Sequence, residues 1–144
     1  MLFFDHQQRD QLRLKYVEAW HKHRSNQPLQ PLEAQIADVI RMHPEYHCLF
    51  EDSEKLLDRN WTPEDGTTNP FLHMGLHLAI RDQVATNRPA GVSNIYKVLV
   101  NRSGDTHTAE HKMIECLAVA LWNAQRSNTP PNEQTYLENL QKIR

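Results

Sequence analysis

The chain has 144 residues, of which 39% are hydrophobic and 24% are charged, and its formal net charge is −2 at pH 7. This balance is typical of one soluble globular domain and argues against a basic nucleic-acid-binding surface. The apolar runs are too short to span a bilayer, and the N-terminus lacks the features of a secretory signal. The two cysteines, Cys48 and Cys116, have no C-x-x-C spacing. We therefore expect reduced thiols in a cytoplasmic protein without nucleic-acid or membrane partners.

Helix-start signals divide the first half of the chain into predicted helices. Asp5 is placed to cap a first helix, which ends at "SNQPLQ". Pro31 suits the first turn of a second helix that runs through Arg41. The stretch "EDSEKLLDRNWTPEDGTT" is predicted to form a short helix followed by an irregular loop.

In the second half, Asn69 followed by Pro70 is a strong start signal for a helix that ends at "RPAG". Later helices are expected over about Ser93–Val100, from the cap Asp105 to about Arg126, and after Pro130 and Pro131. No segment shows the alternating pattern of a strand. We therefore predict an all-α, single-domain helical bundle of about five to seven helices over residues 1–144.

One glutamate falls within the apolar face of the helix that Asp105 caps. That face consists of Met113, Leu117, Ala120, Leu121 and Ala124. At about 100° per residue, Glu110 projects close to the middle of the face, with His107 and His111 at its edge. A buried carboxylate is costly unless it is paired, protonated or metal-bound. Glu110 is therefore the single most informative residue of the sequence.

Six of the nine histidines form pairs with i, i+4 spacing. The pairs are "HPEYH" at 43–47, "HMGLH" at 73–77 and "HTAEH" at 107–111. Random placement would give only about half a pair, so the number of pairs needs a cause. Histidines one helical turn apart point the same way, and both rings can reach one ion at about 2.0–2.1 Å.

The sequence therefore predicts a transition-metal site inside the bundle, with the ligands His73, His77, His107, Glu110 and His111. His43 and His47 are favoured less, because Pro44 disfavours helical geometry at His43 and makes that residue a cap. Imidazole and carboxylate ligands suit zinc or iron ahead of nickel or cobalt. The chain has no Gly-rich phosphate loop, so no nucleotide cofactor is expected.

Two alternatives stay open. The histidines can instead be hydrogen-bonded core residues of a metal-free helical module that binds another protein or forms an oligomer. "HTAEH" also fits the H-x-x-E-H motif of inverted zinc proteases. Only 33 residues follow His111, which leaves little room for the third ligand and cleft of such an enzyme. The sequence indicates no catalytic residue.

The blocks "HPEYH", "NPFLHMGLHLAIRDQ" and "HTAEHKMIECL" resemble a family of small, uncharacterised bacterial proteins of unknown function. The resemblance covers most of the chain and implies a single domain of about this length. It implies no catalytic residue, substrate or partner, so the metal-site hypothesis depends on histidine spacing and helix projection.

Overall fold

The structure is a computed structural model that describes residues 6–62 and 68–144. Within these ranges every regular element is helical and no strand occurs, which confirms the all-α prediction. The elements are α1 (His6–Arg24), α2 (Pro31–Arg41), a 3-10 segment (Pro44–Glu51), α3 (Ser53–Asp58), α4 (Pro70–Thr86), α5 (Val92–Ser103), α6 (Thr106–Ser127) and α7 (Glu133–Ile143). These eight described segments exceed the predicted upper number by one. None of the helices in the described ranges has the length and apolarity that crossing a membrane requires.

Local capping chemistry fixes where the two longest helices of the second half begin. The side-chain oxygen of Asn69 accepts a hydrogen bond from the backbone N–H of Phe71 at 2.9 Å, at the start of α4. Asp105 accepts one from the N–H of Thr108 at 2.7 Å, at the start of α6. These bonds confirm both predicted helix starts. The starts were predictable because a cap depends only on residues that are close in sequence. The predicted cap Asp5 lies outside the described residues.

The stretch after α2 contains an element that the sequence pattern did not predict. His43 is the N-terminal cap of the 3-10 segment Pro44–Glu51, which confirms the capping role expected from Pro44. The short predicted helix is confirmed as α3, Ser53–Asp58. Part of the predicted loop, residues 63–67, lies outside the described residues.

The chain packs as two compact units, Met1–Met74 and Gly75–Arg144. The prediction of a single domain over residues 1–144 stays a prediction. The core of the first unit consists of Tyr16, Val17, Ala19, Trp20, Ile36, Ala37, Val39, Ile40, Phe50, Leu56, Phe71 and Met74. Arg13 is buried beside this core, and its guanidinium donates to the carbonyls of Leu56, Leu57 and Arg59. These bonds tie α1 to the C-terminal end of α3.

Three leucines on apolar faces of α1, α2 and α4 are exposed to solvent. They are Leu12, Leu32 and Leu72. In α2 the first buried residue is Ile36, one turn after Leu32. In α4 both faces are apolar in sequence, and in its first two turns Phe71 and Met74 are buried and Leu72 is not. Residue type alone does not choose between two apolar faces.

The second unit packs α5, α6, α7 and the part of α4 from Gly75 onward. Its core consists of Ile80, Val92, Ile95, Leu99, Ala109, Met113, Ile114, Cys116, Leu117, Tyr136 and Leu140. In α6 the buried residues end at Leu117. Leu121 is 41% exposed, so its predicted inward position is wrong, because the packed part of the helix ends one turn earlier. The packed N-terminal half of α6 is the half that carries the histidines.

Candidate metal centre

His77 is placed in the core of the second unit by α4. It lies three residues before Ile80, and both side chains are 0% exposed. Residues three apart lie on the same face of a helix, so His77 takes a core position that an apolar residue would normally fill. A fully buried imidazole needs polar partners, and α6 supplies them.

Three polar residues of the first two turns of α6 converge on His77. His107 and His111 are one turn apart on this helix and are each partly buried. Glu110, between them in sequence, is 3% exposed, which confirms that it faces the core. The helix reaches this position because Asp105 caps it and its next turns carry the core residues Met113 and Leu117.

The three imidazole rings stand close to one another. The ring centroids of His107 and His111 are 4.2 Å apart, those of His77 and His111 are 4.9 Å apart, and those of His77 and His107 are 5.3 Å apart. One ring nitrogen from each of the three lies within 4.8 Å of the other two. We call these residues the histidine triad.

Glu110 holds the ring of His77 from the side. Its Oε1 accepts a hydrogen bond from Nδ1–H of His77 at 2.8 Å, and a second from Nε–H of Arg81 at 3.2 Å. The negative charge of the buried carboxylate is thus balanced by the guanidinium of Arg81. With Nδ1 committed to Glu110, the nitrogen that His77 presents on the opposite side of its ring is Nε2.

The charges of Glu110 and Arg81 both affect the pKa of Tyr96 on α5. Partial burial raises the pKa of its phenol, the negative charge of Glu110 raises it further, and the positive charge of Arg81 lowers it. Tyr96 therefore keeps a neutral phenol beside the network.

The donor set of the histidine triad fits a divalent transition-metal ion. Zinc accepts imidazole nitrogens at about 2.0–2.1 Å, so tetrahedral ligands stand about 3.4 Å apart. The three ring nitrogens lie within 4.8 Å of one another, so they would have to move closer together to reach this spacing. A carboxylate that accepts from the second nitrogen of a ligating histidine is a common feature of such sites, because it fixes the tautomer and the ring orientation. Glu110 has this relation to His77.

The other histidines named by the sequence lie in the first unit. The ring of His73 meets the ring of His43 edge-on, with centroids 5.0 Å apart. His43 is buried, donates from Nδ1–H to the carbonyl of Val39 at 2.7 Å and stacks on Tyr46. That His73 and His43 bind metal stays a prediction of the sequence.

His47 has structural contacts of its own within the first unit. Its Nε2–H donates to the carbonyl of Ile40 at 2.8 Å, and its ring lies 4.7 Å from the ring of Trp20. These contacts give His47 a role in packing. Its weaker assignment as a ligand likewise stays a prediction.

The sequence reasoning missed Arg81, which the structure adds to the site. The signal was present, because Arg81 follows His77 by four residues and therefore lies one turn further along the same helix face. A basic residue in that position can form an ion pair with Glu110, whose carboxylate the projection of α6 already placed in the core.

Comparison with known proteins adds a family and no activity. No curated protein and no solved structure matches the chain significantly. One family does match, over residues 8–142, and it is described as a domain of unknown function. Because this match covers nearly the whole sequence, the chain belongs to the DUF1841 family.

Proposed function

We propose that this protein binds a first-row transition-metal ion through the imidazoles of His77, His107 and His111. The observation that carries the proposal is the convergence of three ring nitrogens, from α4 and α6, within 4.8 Å of one another. Imidazole ligands suit zinc, iron and nickel, and zinc or iron is the ion that we propose here. No reaction is proposed, because catalytic and structural metal sites differ in whether one position stays open to water.

Glu110 acts in this proposal through His77 and not as a ligand. Its hydrogen bond to Nδ1 leaves Nε2 of His77 as the nitrogen directed to the ion, and the second bond to Arg81 fixes the carboxylate. Such outer contacts typically change metal affinity by 10- to 100-fold.

Partial exposure of His107 and His111 supports the proposal in a second way. A metal site needs a path by which the ion enters. His77 is sealed in the core, whereas the two histidines of α6 are each partly open to solvent, so the side of α6 offers that path.

A metal-free helical module remains the second candidate, and one observation favours it. The carboxylate of Glu110 is already paired with both His77 and Arg81. A buried charge that is paired and hydrogen-bonded needs no ion to be stable. In this case the histidine triad is a polar part of the core.

The experiment that separates the two candidates is a metal titration of untagged, chelator-treated protein with Co²⁺ and Zn²⁺. Cobalt reports on its ligands through visible absorption, and zinc affinity follows from its competition with cobalt. We expect one ion per chain, and at least tenfold weaker binding in His77→Ala, His107→Ala and His111→Ala. His21→Ala is the matched control, because His21 is exposed on α1.

Equal affinity in wild type and all three triad variants would overturn the assignment. The same titration of His43→Ala and His73→Ala tests the two further ligands that the sequence named. Circular dichroism of each metal-free variant shows whether the helices are intact, so that loss of binding is not confused with loss of fold.

A further inference from the structure

The C-terminal half of α6 carries large apolar side chains that face solvent. Val119 is 49% exposed and Trp122 is 57% exposed. The buried residues of this helix end at Leu117. An exposed tryptophan beside an exposed valine indicates a contact surface, because aromatic residues are enriched at protein interfaces.

These two residues belong to a straight stripe with a charge at each end. Glu115, Val119, Trp122 and Arg126 are all exposed, and their spacing is i, i+4, i+7 and i+11. At about 100° per residue the four positions fall within about 60° of one another. We call Glu115, Val119, Trp122 and Arg126 the α6 stripe.

The two charges of the α6 stripe, Glu115 and Arg126, have no ion-pair partner among the described residues. The guanidinium of Arg126 lies 4.4 Å over the ring of Trp122, one turn earlier on the helix. Glu115 and Arg126 are eleven residues apart, which corresponds to about 16 Å along the helix axis.

The order of residues in the stripe is self-complementary. Glu115 and Arg126 are symmetric about the point between residues 120 and 121, and Val119 and Trp122 are symmetric about the same point. When two copies of such a helix meet antiparallel, each glutamate faces the other copy's arginine and each valine faces the other copy's tryptophan. A two-fold interface requires this relation, since residue i then contacts j while j contacts i.

We propose that the α6 stripe is the interface of a homodimer, in which α6 of one protomer packs antiparallel against α6 of a second copy. Charge complementarity selects a second copy as the occupant, because a partner with a uniform charge would meet a like charge at one end. The apolar pair is desolvated at the centre, and the two ion pairs fix the direction. The proposal does not depend on metal binding, because none of the four residues belongs to the histidine triad or its network.

The interface is small, since it uses about three turns of one helix from each copy. Interfaces of this size bind weakly, and we expect a dissociation constant in the micromolar range. Association should therefore be visible as a concentration-dependent change of mass and not as a permanent dimer.

The test is sedimentation velocity over a concentration series, with chelator present so that metal plays no part. We expect wild type to shift from monomer to dimer, and Trp122→Ala to dimerise at least tenfold more weakly. Glu115→Arg and Arg126→Glu should each be weakened to a similar degree, because each places like charges opposite one another twice. Lys142→Glu is the control, because this exposed charge lies on α7 and is not part of the stripe.

Mixing the two charge variants tests directly whether the two ion pairs form between copies. An equimolar mixture of Glu115→Arg with Arg126→Glu restores both ion pairs in a heterodimer, so we expect the mixture to associate like wild type. A wild type that stays monomeric up to millimolar concentration would overturn the proposal. So would single variants that dimerise as well as wild type, or a mixture that fails to associate although both variants are folded.

Discussion

Nδ1 of His77 and Oε1 of Glu110 are joined by a hydrogen bond of 2.8 Å between two side chains that are almost completely buried. The bond connects α4 to α6 within the second unit. It fixes the orientation of the one imidazole that is sealed in the core, and it places the second nitrogen of that ring on the side away from the carboxylate. The metal-binding proposal depends on this orientation as well as on the convergence of the three ring nitrogens.

Replacing Glu110 by Gln should weaken metal binding by roughly tenfold or more while the fold persists. The amide keeps the shape and can still accept from His77, but it no longer carries the charge that favours a bound cation. In chelator the free energy of unfolding should change by no more than about 1 kcal/mol, because a buried charge is removed along with its pairing. Thermal unfolding with excess metal and with chelator measures both effects.

Glu138→Gln is the control for that experiment, because Glu138 is an exposed glutamate on α7 and belongs neither to the Glu110 network nor to the α6 stripe. Equal stabilisation by metal in wild type and Glu110→Gln would remove Glu110 from the site. A large loss of stability in chelator alone would make the Glu110 network a structural part of the core.

His47→Ala should leave metal stoichiometry unchanged and lower the free energy of unfolding by about 1–2 kcal/mol. The variant loses the hydrogen bond to the Ile40 carbonyl and the ring contact with Trp20. Metal content and urea unfolding of the same preparation test both parts. A clean loss of metal would mean that the sequence-based assignment of His47 as a ligand is correct.

Stability should fall as the pH rises above 10, in part because of Tyr16. Burial raises the pKa of this phenol from its ordinary value of 10.0 to about 12. The neutral form is therefore favoured in the folded state. Its contribution is fully present below pH 10 and is lost as the pH rises through 12.

The contribution of Tyr16 at pH 11 is on the order of 1 kcal/mol. Tyr16→Phe cannot ionise, so it should lose less stability than wild type between pH 8 and pH 11. Urea unfolding at the two pH values checks this. An identical loss in both proteins would show that Tyr16 does not control the alkaline limit.

Helix starts and the inward direction of Glu110 were predictable from the sequence, because both depend on local rules. Asn69 and Asp105 cap the helices that follow them, and a projection at 100° per residue places Glu110 on the packed face of α6. These features need no knowledge of what the helix packs against.

The partners of Glu110 were not predictable in the same way. They are His77 and Arg81, which lie 33 and 29 residues away in sequence on a different helix. Which face of α4 packs also depends on tertiary contacts, since the helix is apolar on both sides and Leu72 is exposed. The spacing of the histidines indicated a site. That Glu110 orients the ring of His77 follows only from the packing of α4 against α6.

The most direct test of the metal-binding account is the metal content of the protein purified without a histidine tag or chelating resin. Inductively coupled plasma mass spectrometry of such protein should find about one equivalent of a single transition metal per chain, either as isolated or after zinc or iron is added back. Less than about a tenth of an equivalent, unchanged by adding zinc or iron, would contradict the account and leave the histidine triad as a hydrogen-bonded part of a metal-free core.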